Sequence, residues 1–273
     1  MPTIVDRDRT VRLLDEEFDA VAAVGGGLTP AQWATPTCLP GWTVQDVLAH
    51  LVGTESMLAG DPGPEADVSG LEHLRNDIGR ANEVWVASMR PLPGDEVLAR
   101  FRAVTARRTA SLGAMTQADF DRPSWTPAGP DETYGRFMRI RHYDCFLHEH
   151  DMRAALDLAD REDPDHVDAA LAEPEAALGY IVGRRAGMPS GTTVAIAVHG
   201  PVERTWRLAV EERARVVDDL PGPATVSLDL PAMLFLRLTG GRVDALPHLG
   251  DDLVVGGDET LGRQLATHLA FTI

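Results

Sequence analysis

Hydrophobic residues recur every three to four positions through most of the first 185 residues, which is the spacing of amphipathic helices. The pattern predicts helices over 3–24, 44–58, 69–89, 94–117, 134–158 and 165–185. Gly25-Gly26-Gly27 ends the first helix, and Thr43 is placed to cap the second. The segment 118–133 is rich in proline, glycine and aspartate and predicts a loop. Long helices joined by loops indicate an up-and-down helical bundle.

The pattern changes after Pro189. β-Branched residues cluster between turn signals and predict strands over 192–198, 205–210 and 225–230, with helices over 231–239 and 261–269. The expected fold class is therefore mainly α plus α+β. We expect a helical domain over 1–187 and a small α+β domain over 188–273.

The composition excludes several classes of function. The net charge is −17 and the pI is near 4.8, without a basic run, so binding to nucleic acid is not expected. All 25 basic residues are arginine, which excludes a lysine Schiff base and a phosphate-loop lysine.

Little in the sequence points to export or to a membrane. Cys38 and Cys145 are too few for a disulfide framework or a four-thiolate zinc site. No stretch approaches the ~20 apolar residues that span a bilayer, and the N-terminus lacks the apolar core of a signal peptide. We therefore expect a cytoplasmic protein.

One patch carries residues suited to metal chemistry. In the helix over 134–158, Asp144 and His148 lie one turn apart, and Asp151 follows on the same face. A carboxylate and an imidazole at this spacing can supply two metal ligands. His50 faces the bundle interior by its neighbours' pattern and is the best third ligand, whereas Glu149 and His150 are expected to project elsewhere into solvent.

Structural readings of the same residues stay open at this point. An inward histidine such as His50 is more often a hydrogen-bonded core residue than a ligand. Asp144 and His148 also have the spacing of a surface ion pair. Cys145 has an apolar neighbour and is expected to be packed. The tryptophans of the helical half can line a pocket or anchor the core (Trp33, Trp42, Trp85 and Trp125).

Two segments of the helical half resemble a known family. These are 39–51, which reads LPGWTVQDVLAHL, and 141–153, which reads RHYDCFLHEHDMR. They resemble the mycothiol-dependent maleylpyruvate isomerase family, within the DinB-like metal-binding four-helix-bundle superfamily. The segments 231–242 and 257–261 resemble the family's appended sterol-carrier-like α+β domain, so the resemblance extends over nearly the whole chain.

The resemblance implies a divalent cation, usually Zn²⁺, held by His50, Asp144 and His148. Asp144 stands where the isomerases have glutamate, a departure that puts maleylpyruvate itself in doubt as the substrate. Asp151 is then either a partner of a metal ligand or a structural partner of Arg153. The arginine that meets an acidic substrate falls on Arg80, with Arg75 as the alternative; both can instead be solvated helix residues, which is the commoner case for an arginine.

The implied activity is a thiol-dependent isomerase or S-transferase. A low-molecular-weight thiol, mycothiol by resemblance, ionises at the cation and attacks a small electrophile. The expected partners are thus two small molecules, and the chain is expected to be a monomer or homodimer. The alternative is a non-catalytic small-molecule binding protein whose metal is structural or absent.

Overall fold

A computed structural model describes residues 2–71 and 74–272. The chain divides into two compact units, one that ends at Arg161 and one over Glu162–Thr272. The expected division was at 187–188. The difference is the helix Pro164–Tyr180, which packs on a strand and a helix of the second unit.

The first unit contains seven helices and a two-stranded hairpin among its described residues. The helices are α1 (Arg7–Val24), α2 (Pro30–Trp33), α3 (Val44–Leu58), α4 (Asp77–Met89), α5 (Gly94–Gly113), α6 (Gln117–Asp121) and α7 (Tyr134–Ala155). The antiparallel hairpin joins β1 (Pro123–Thr126) to β2 (Gly129–Thr133).

Helix α3 begins where the sequence predicted. The Thr43 side chain accepts a hydrogen bond from the Asp46 backbone N–H, and the Asp46 carboxylate accepts one from the Thr43 backbone N–H. This reciprocal capping box satisfies two N–H groups that a helix start otherwise leaves unpaired. It fixes the register of the helix that carries His50.

Helices α1, α3, α5 and α7 form the bundle, with α4 packed on α3. A side chain at Gly53 would lie 2.5 Å from Trp85, so only glycine allows this close approach of α4 to α3. Helices α3 and α5 run in the same direction, since Gln45 contacts the Leu92 carbonyl and Glu55 contacts Arg108. The intervening α4 returns the chain and makes this arrangement possible.

Two local predictions for this unit need correction. The helix predicted over 69–89 begins at Asp77, with Asn76 as its cap; residues 72 and 73 of that prediction lie outside the described residues. The segment 118–133 is not a plain loop, because it holds most of α6 and the hairpin.

The second unit is an α+β structure. It contains α8 (Pro164–Tyr180), a π-helical turn (Ile181–Arg185), β3 (Thr193–His199), β4 (Arg204–Val210), β5 (Ala214–Val217), β6 (Val226–Pro231), α9 (Ala232–Thr239), β7 (Val254–Gly257) and α10 (Glu259–Ala266). Its five-stranded sheet has the order β5-β4-β3-β6-β7, with β3 and β6 parallel and the other pairs antiparallel. The predicted fold class, a helical bundle followed by a small α+β region, is confirmed.

No helix within the described ranges is long and apolar enough to cross a membrane.

Candidate metal centre

Helices α3 and α7 bring three potential ligands together inside the bundle. His50 lies on α3, and Asp144 and His148 lie one turn apart on α7. One ligand atom from each residue lies within 4.8 Å of the others. We call these three residues the imidazole cluster. The structure thus gathers the residues that the sequence named as ligands.

The spacing within the imidazole cluster suits a small divalent cation. His50 Nε2 lies 3.3 Å from Asp144 Oδ2, and His148 Nε2 lies 3.6 Å from Asp144 Oδ1. Nitrogen and oxygen ligands at Zn²⁺ distances in a tetrahedral shell lie about 3.3–3.5 Å apart. The two measured separations therefore match or nearly match the edges of such a shell.

Burial and charge favour the ligand forms of these groups. His50 and His148 are 4% and 5% exposed, and burial lowers the pKa of His50 below its ordinary value. Burial alone would raise the pKa of Asp144, but the adjacent Arg141 guanidinium outweighs it and holds this pKa well below the usual range. The cluster therefore presents an ionised carboxylate beside a neutral His50. The Asp144 side chain, 30% exposed, marks where solvent reaches the cluster.

Asp151 fixes the tautomer of His148. The Asp151 carboxylate accepts a hydrogen bond from His148 Nδ1, at 3.0 Å. In the neutral ring the lone pair is then on Nε2, which faces the Asp144 carboxylate. Two electron-rich atoms repel unless a proton or a cation lies between them. A metal ligand whose other ring nitrogen binds a carboxylate has this arrangement.

His50 is compatible with the same conclusion. Its Nδ1 is buried and has no hydrogen-bond partner within the described part of the chain. If Nδ1 carries the proton, the Nε2 lone pair faces Asp144; if Nε2 carries it, the buried Nδ1 lone pair is unused. In the first tautomer a cation between His50 and Asp144 removes the conflict. The residues present therefore fit a divalent cation.

A second buried polar cluster lies against the first. Glu55 is fully buried and accepts hydrogen bonds from Arg108 Nε and Arg141 Nε, each at 2.9 Å. Arg141 also pairs with Asp144. We call Glu55, Arg108 and Arg141 the arginine cluster. Sequence reasoning missed it, because its members come from three helices and share no spacing signal.

Trp42 covers the imidazole cluster on one side. Its ring centre lies 5.3 Å from that of His50 and 6.2 Å from that of His148, and the two imidazole centres are 4.9 Å apart. Of the four tryptophans considered, Trp33 is buried in the core, whereas Trp125 is 56% exposed. The indole at Trp42 is thus the one that contacts the imidazole cluster within the described residues.

The two candidate arginines and the two cysteines lie in different surroundings. Arg80 lies exposed on α4 and forms no ion pair within the described residues, so its role stays a prediction; Arg75 is exposed before the same helix. Cys145 is packed as predicted, and burial raises the pKa of its thiol well above the usual value. Cys38 is exposed, and its thiol donates to Asp151 at 3.3 Å.

Two predictions in α7 were wrong. Glu149 and His150 are buried rather than solvated. Glu149 accepts from Arg153 and Arg161, at 2.7 and 2.9 Å, and His150 hydrogen-bonds the Phe146 carbonyl. Arg153 therefore pairs with Glu149. Asp151 instead contacts His148, which supports the reading of Asp151 as a partner of a metal ligand.

The fold and the cluster define a class: a helical bundle with two imidazoles and a carboxylate converging from two helices, followed by an α+β unit. Residues 14–153 match the family described as the mycothiol maleylpyruvate isomerase N-terminal domain. The chain belongs to this family.

Solved structures show a similar fold. Two crystal structures of the mycothiol-dependent maleylpyruvate isomerase, one of them a single-residue mutant, match with TM-scores of 0.61. Each match covers 94% of this chain and 96% of the other, at 14% sequence identity. At this identity the likeness concerns the fold alone. A comparison with curated protein sequences finds no match.

Proposed function

We propose that this protein is a metal-dependent enzyme that uses a low-molecular-weight thiol, mycothiol, on a small electrophile. The observation that carries the proposal is the convergence of His50, Asp144 and His148, with the His148 lone pair turned towards a carboxylate by Asp151. Family membership supports the thiol, since the family is named for mycothiol and maleylpyruvate.

Three residues of the chain are the proposed metal ligands. His50, Asp144 and His148 would hold the cation, with Zn²⁺ as the metal that suits nitrogen and oxygen ligands at this spacing. When bound, the cation lowers the pKa of a coordinating thiol, so that sulfur becomes a nucleophile near neutral pH.

Neither cysteine of the chain is needed as the nucleophile. Burial raises the pKa of Cys145, which keeps that thiol protonated. The Cys38 thiol donates a hydrogen bond to Asp151, the carboxylate that also binds His148. The attacking sulfur is therefore assigned to the small-molecule thiol.

Arg80 is proposed to meet an acidic group of the electrophile. It lies one turn before Glu83 on α4, and Glu83 accepts the hydrogen bond of the Trp42 indole, which packs on the imidazole cluster. A guanidinium on this exposed stretch of α4 has no carboxylate partner in the described residues and is available to a substrate.

Two reactions fit the same residues. In an isomerase, the thiolate adds to a cis alkene, the new single bond rotates, and elimination releases the trans alkene and the thiol. In an S-transferase, the thioether adduct is the product. Both begin with attack of sulfur on carbon, and they differ in whether the thiol is regenerated.

The test is a reaction of metal-loaded protein with mycothiol and maleylpyruvate, followed by mass spectrometry. We expect thiol-dependent turnover: unchanged total thiol indicates an isomerase, and a mass equal to the sum of both substrates indicates a transferase. An Arg80→Ala variant should raise KM for an acidic electrophile. Absence of turnover with maleylpyruvate and with a general alkylating electrophile would contradict the proposal.

One observation favours a non-catalytic binding protein as a second candidate. Arg141 pairs with Asp144 and balances the charge of that carboxylate without a cation. A binding protein would retain no metal and show no thiol-dependent activity. The proposed enzyme is expected to be a cytoplasmic monomer or homodimer acting on small molecules.

A further inference from the structure

The two imidazoles of the candidate metal centre are oriented in different ways. His148 donates to a carboxylate, Asp151, at 3.0 Å. His50 has no acceptor for its Nδ1 within the described residues. Metal-binding histidines almost always have such an acceptor, because it fixes both the tautomer and the ring plane. Something else must therefore hold the ring of His50.

The indole of Trp42 makes the contact that holds the His50 ring. Its ring centre is 5.3 Å from that of His50, with the planes 37° apart, and the His148 ring packs on a neighbouring side of His50 at 4.9 Å. Aromatic rings at these separations pack in van der Waals contact. The His50 ring therefore packs against two aromatic neighbours, and the indole is the one that supplies no ligand atom.

Trp42 is itself anchored from α4. Its Nε1 donates to Glu83 Oε2 at 2.8 Å, and Glu83 is fully buried. Arg90 pairs with Glu83 at 2.7 Å and with Asp46 at 2.9 Å. An unpaired buried carboxylate costs free energy of folding. The pairing of Glu83 with Arg90 therefore stabilises the anchor of Trp42. Because Asp46 also caps α3, one network fixes both the indole and the start of the helix that carries His50.

The backbone before α3 turns so that the indole reaches the imidazoles. The Thr37 backbone N–H donates to the Trp42 carbonyl at 2.9 Å, which closes a tight loop. Gly41 has a φ of 79°, a conformation that L side chains rarely adopt. The loop therefore places the Trp42 side chain against the imidazole of His50 at the start of α3.

We propose that Trp42, anchored by Glu83, is a positioning residue for His50, and that it does by packing what Asp151 does for His148 by hydrogen bonding. The proposal rests on the proposed function in one respect, since it takes His50 as a metal ligand. It adds that the affinity for the cation depends on an indole that supplies no ligand atom.

The experiment measures the dissociation constant and the visible absorption spectrum of Co²⁺ bound to the full chain. The variants are Trp42→Leu, which removes the ring, and Trp42→Phe, which keeps a ring but loses the bond to Glu83. Trp125→Leu is the matched control, because Trp125 is exposed and lies on the β1 strand. Far-ultraviolet circular dichroism checks that each variant is folded, and Trp42→Phe alone is compared with the parent if Trp42→Leu is not.

We expect Trp42→Leu to raise the Co²⁺ dissociation constant roughly tenfold or more, the scale for loss of a residue that orients a ligand. Trp42→Phe should lie between Trp42→Leu and the parent, and Trp125→Leu should match the parent. The intense band of four-coordinate Co²⁺ should weaken in Trp42→Leu.

Two results would overturn the inference alone: an unchanged dissociation constant in Trp42→Leu, or an equal loss in Trp125→Leu, while His50→Ala abolishes binding. If the parent protein binds no Co²⁺, or if His50→Ala binds it normally, the ligand assignment fails as well and both proposals fall.

Discussion

The two buried polar clusters of the bundle are neighbours, yet they are completed in opposite ways. In the arginine cluster, both oxygens of Glu55 accept from guanidinium groups that the chain itself supplies. In the imidazole cluster, one carboxylate faces the ring nitrogens of His50 and His148. A buried cluster whose charges are matched within the chain holds the fold together. The imidazole cluster shares Arg141 through Asp144, but the lone pairs that converge in it leave a place for a positive partner from outside.

The largest expected effect comes from removing the carboxylate of the arginine cluster. Glu55→Ala leaves Arg108 and Arg141 buried without their shared partner, so we expect the free energy of unfolding to fall by about 3–5 kcal/mol. Urea unfolding of the metal-free protein measures this. Glu96→Ala is the control, because its ion pair with Arg100 is exposed. A loss below about 1 kcal/mol would show that the arginine cluster is not essential to the fold.

A substitution next to the imidazole cluster should act on the metal and little on the fold. Asp151→Asn replaces the carboxylate that orients His148, and we expect the affinity for Zn²⁺ to fall roughly 10–100-fold. Competition against a chromophoric chelator measures the affinity. The control is Asp163→Asn, which alters a carboxylate at the cap of α8 in the other unit and should leave the affinity for Zn²⁺ unchanged. Equal affinities for the parent and Asp151→Asn would contradict the role of Asp151.

The smallest expected effect is a pH dependence of stability. Burial lowers the pKa of His50 below its ordinary 6.5, so the unfolded chain takes up this proton at a higher pH than the folded chain does. The stability that the neutral His50 ring contributes is fully present above pH 6.5. It is lost as the pH falls from 6.5 through the lowered pKa of His50. Urea unfolding of metal-free protein should show this loss, and His50→Ala should reduce it. An identical pH profile in His50→Ala would contradict the assignment.

The sequence predicts those parts of the fold and site that depend on local spacing. The i, i+4 placement of Asp144 and His148 puts both on one face, and the capped start of α3 sets the direction of His50. The hairpin over 123–133 was missed because its proline and glycine residues suppress the strand pattern.

Contacts between helices were beyond sequence reasoning. The pairings of Glu55 with Arg108 and of Trp42 with Glu83 depend on which helix faces meet. Glu149 was expected in solvent because α7 was taken to have an exposed face, whereas α7 is buried on nearly all sides. Periodicity does not distinguish the faces of such a helix.

The central claim, that His50, Asp144 and His148 hold one cation, is tested most directly by metal analysis of protein purified without a polyhistidine tag. We predict about one equivalent of a divalent metal in the parent and loss of that metal in both His50→Ala and His148→Ala, because each variant removes a ligand. Full occupancy in both variants, or less than about 0.1 equivalent in the parent after incubation with Zn²⁺, would contradict the claim.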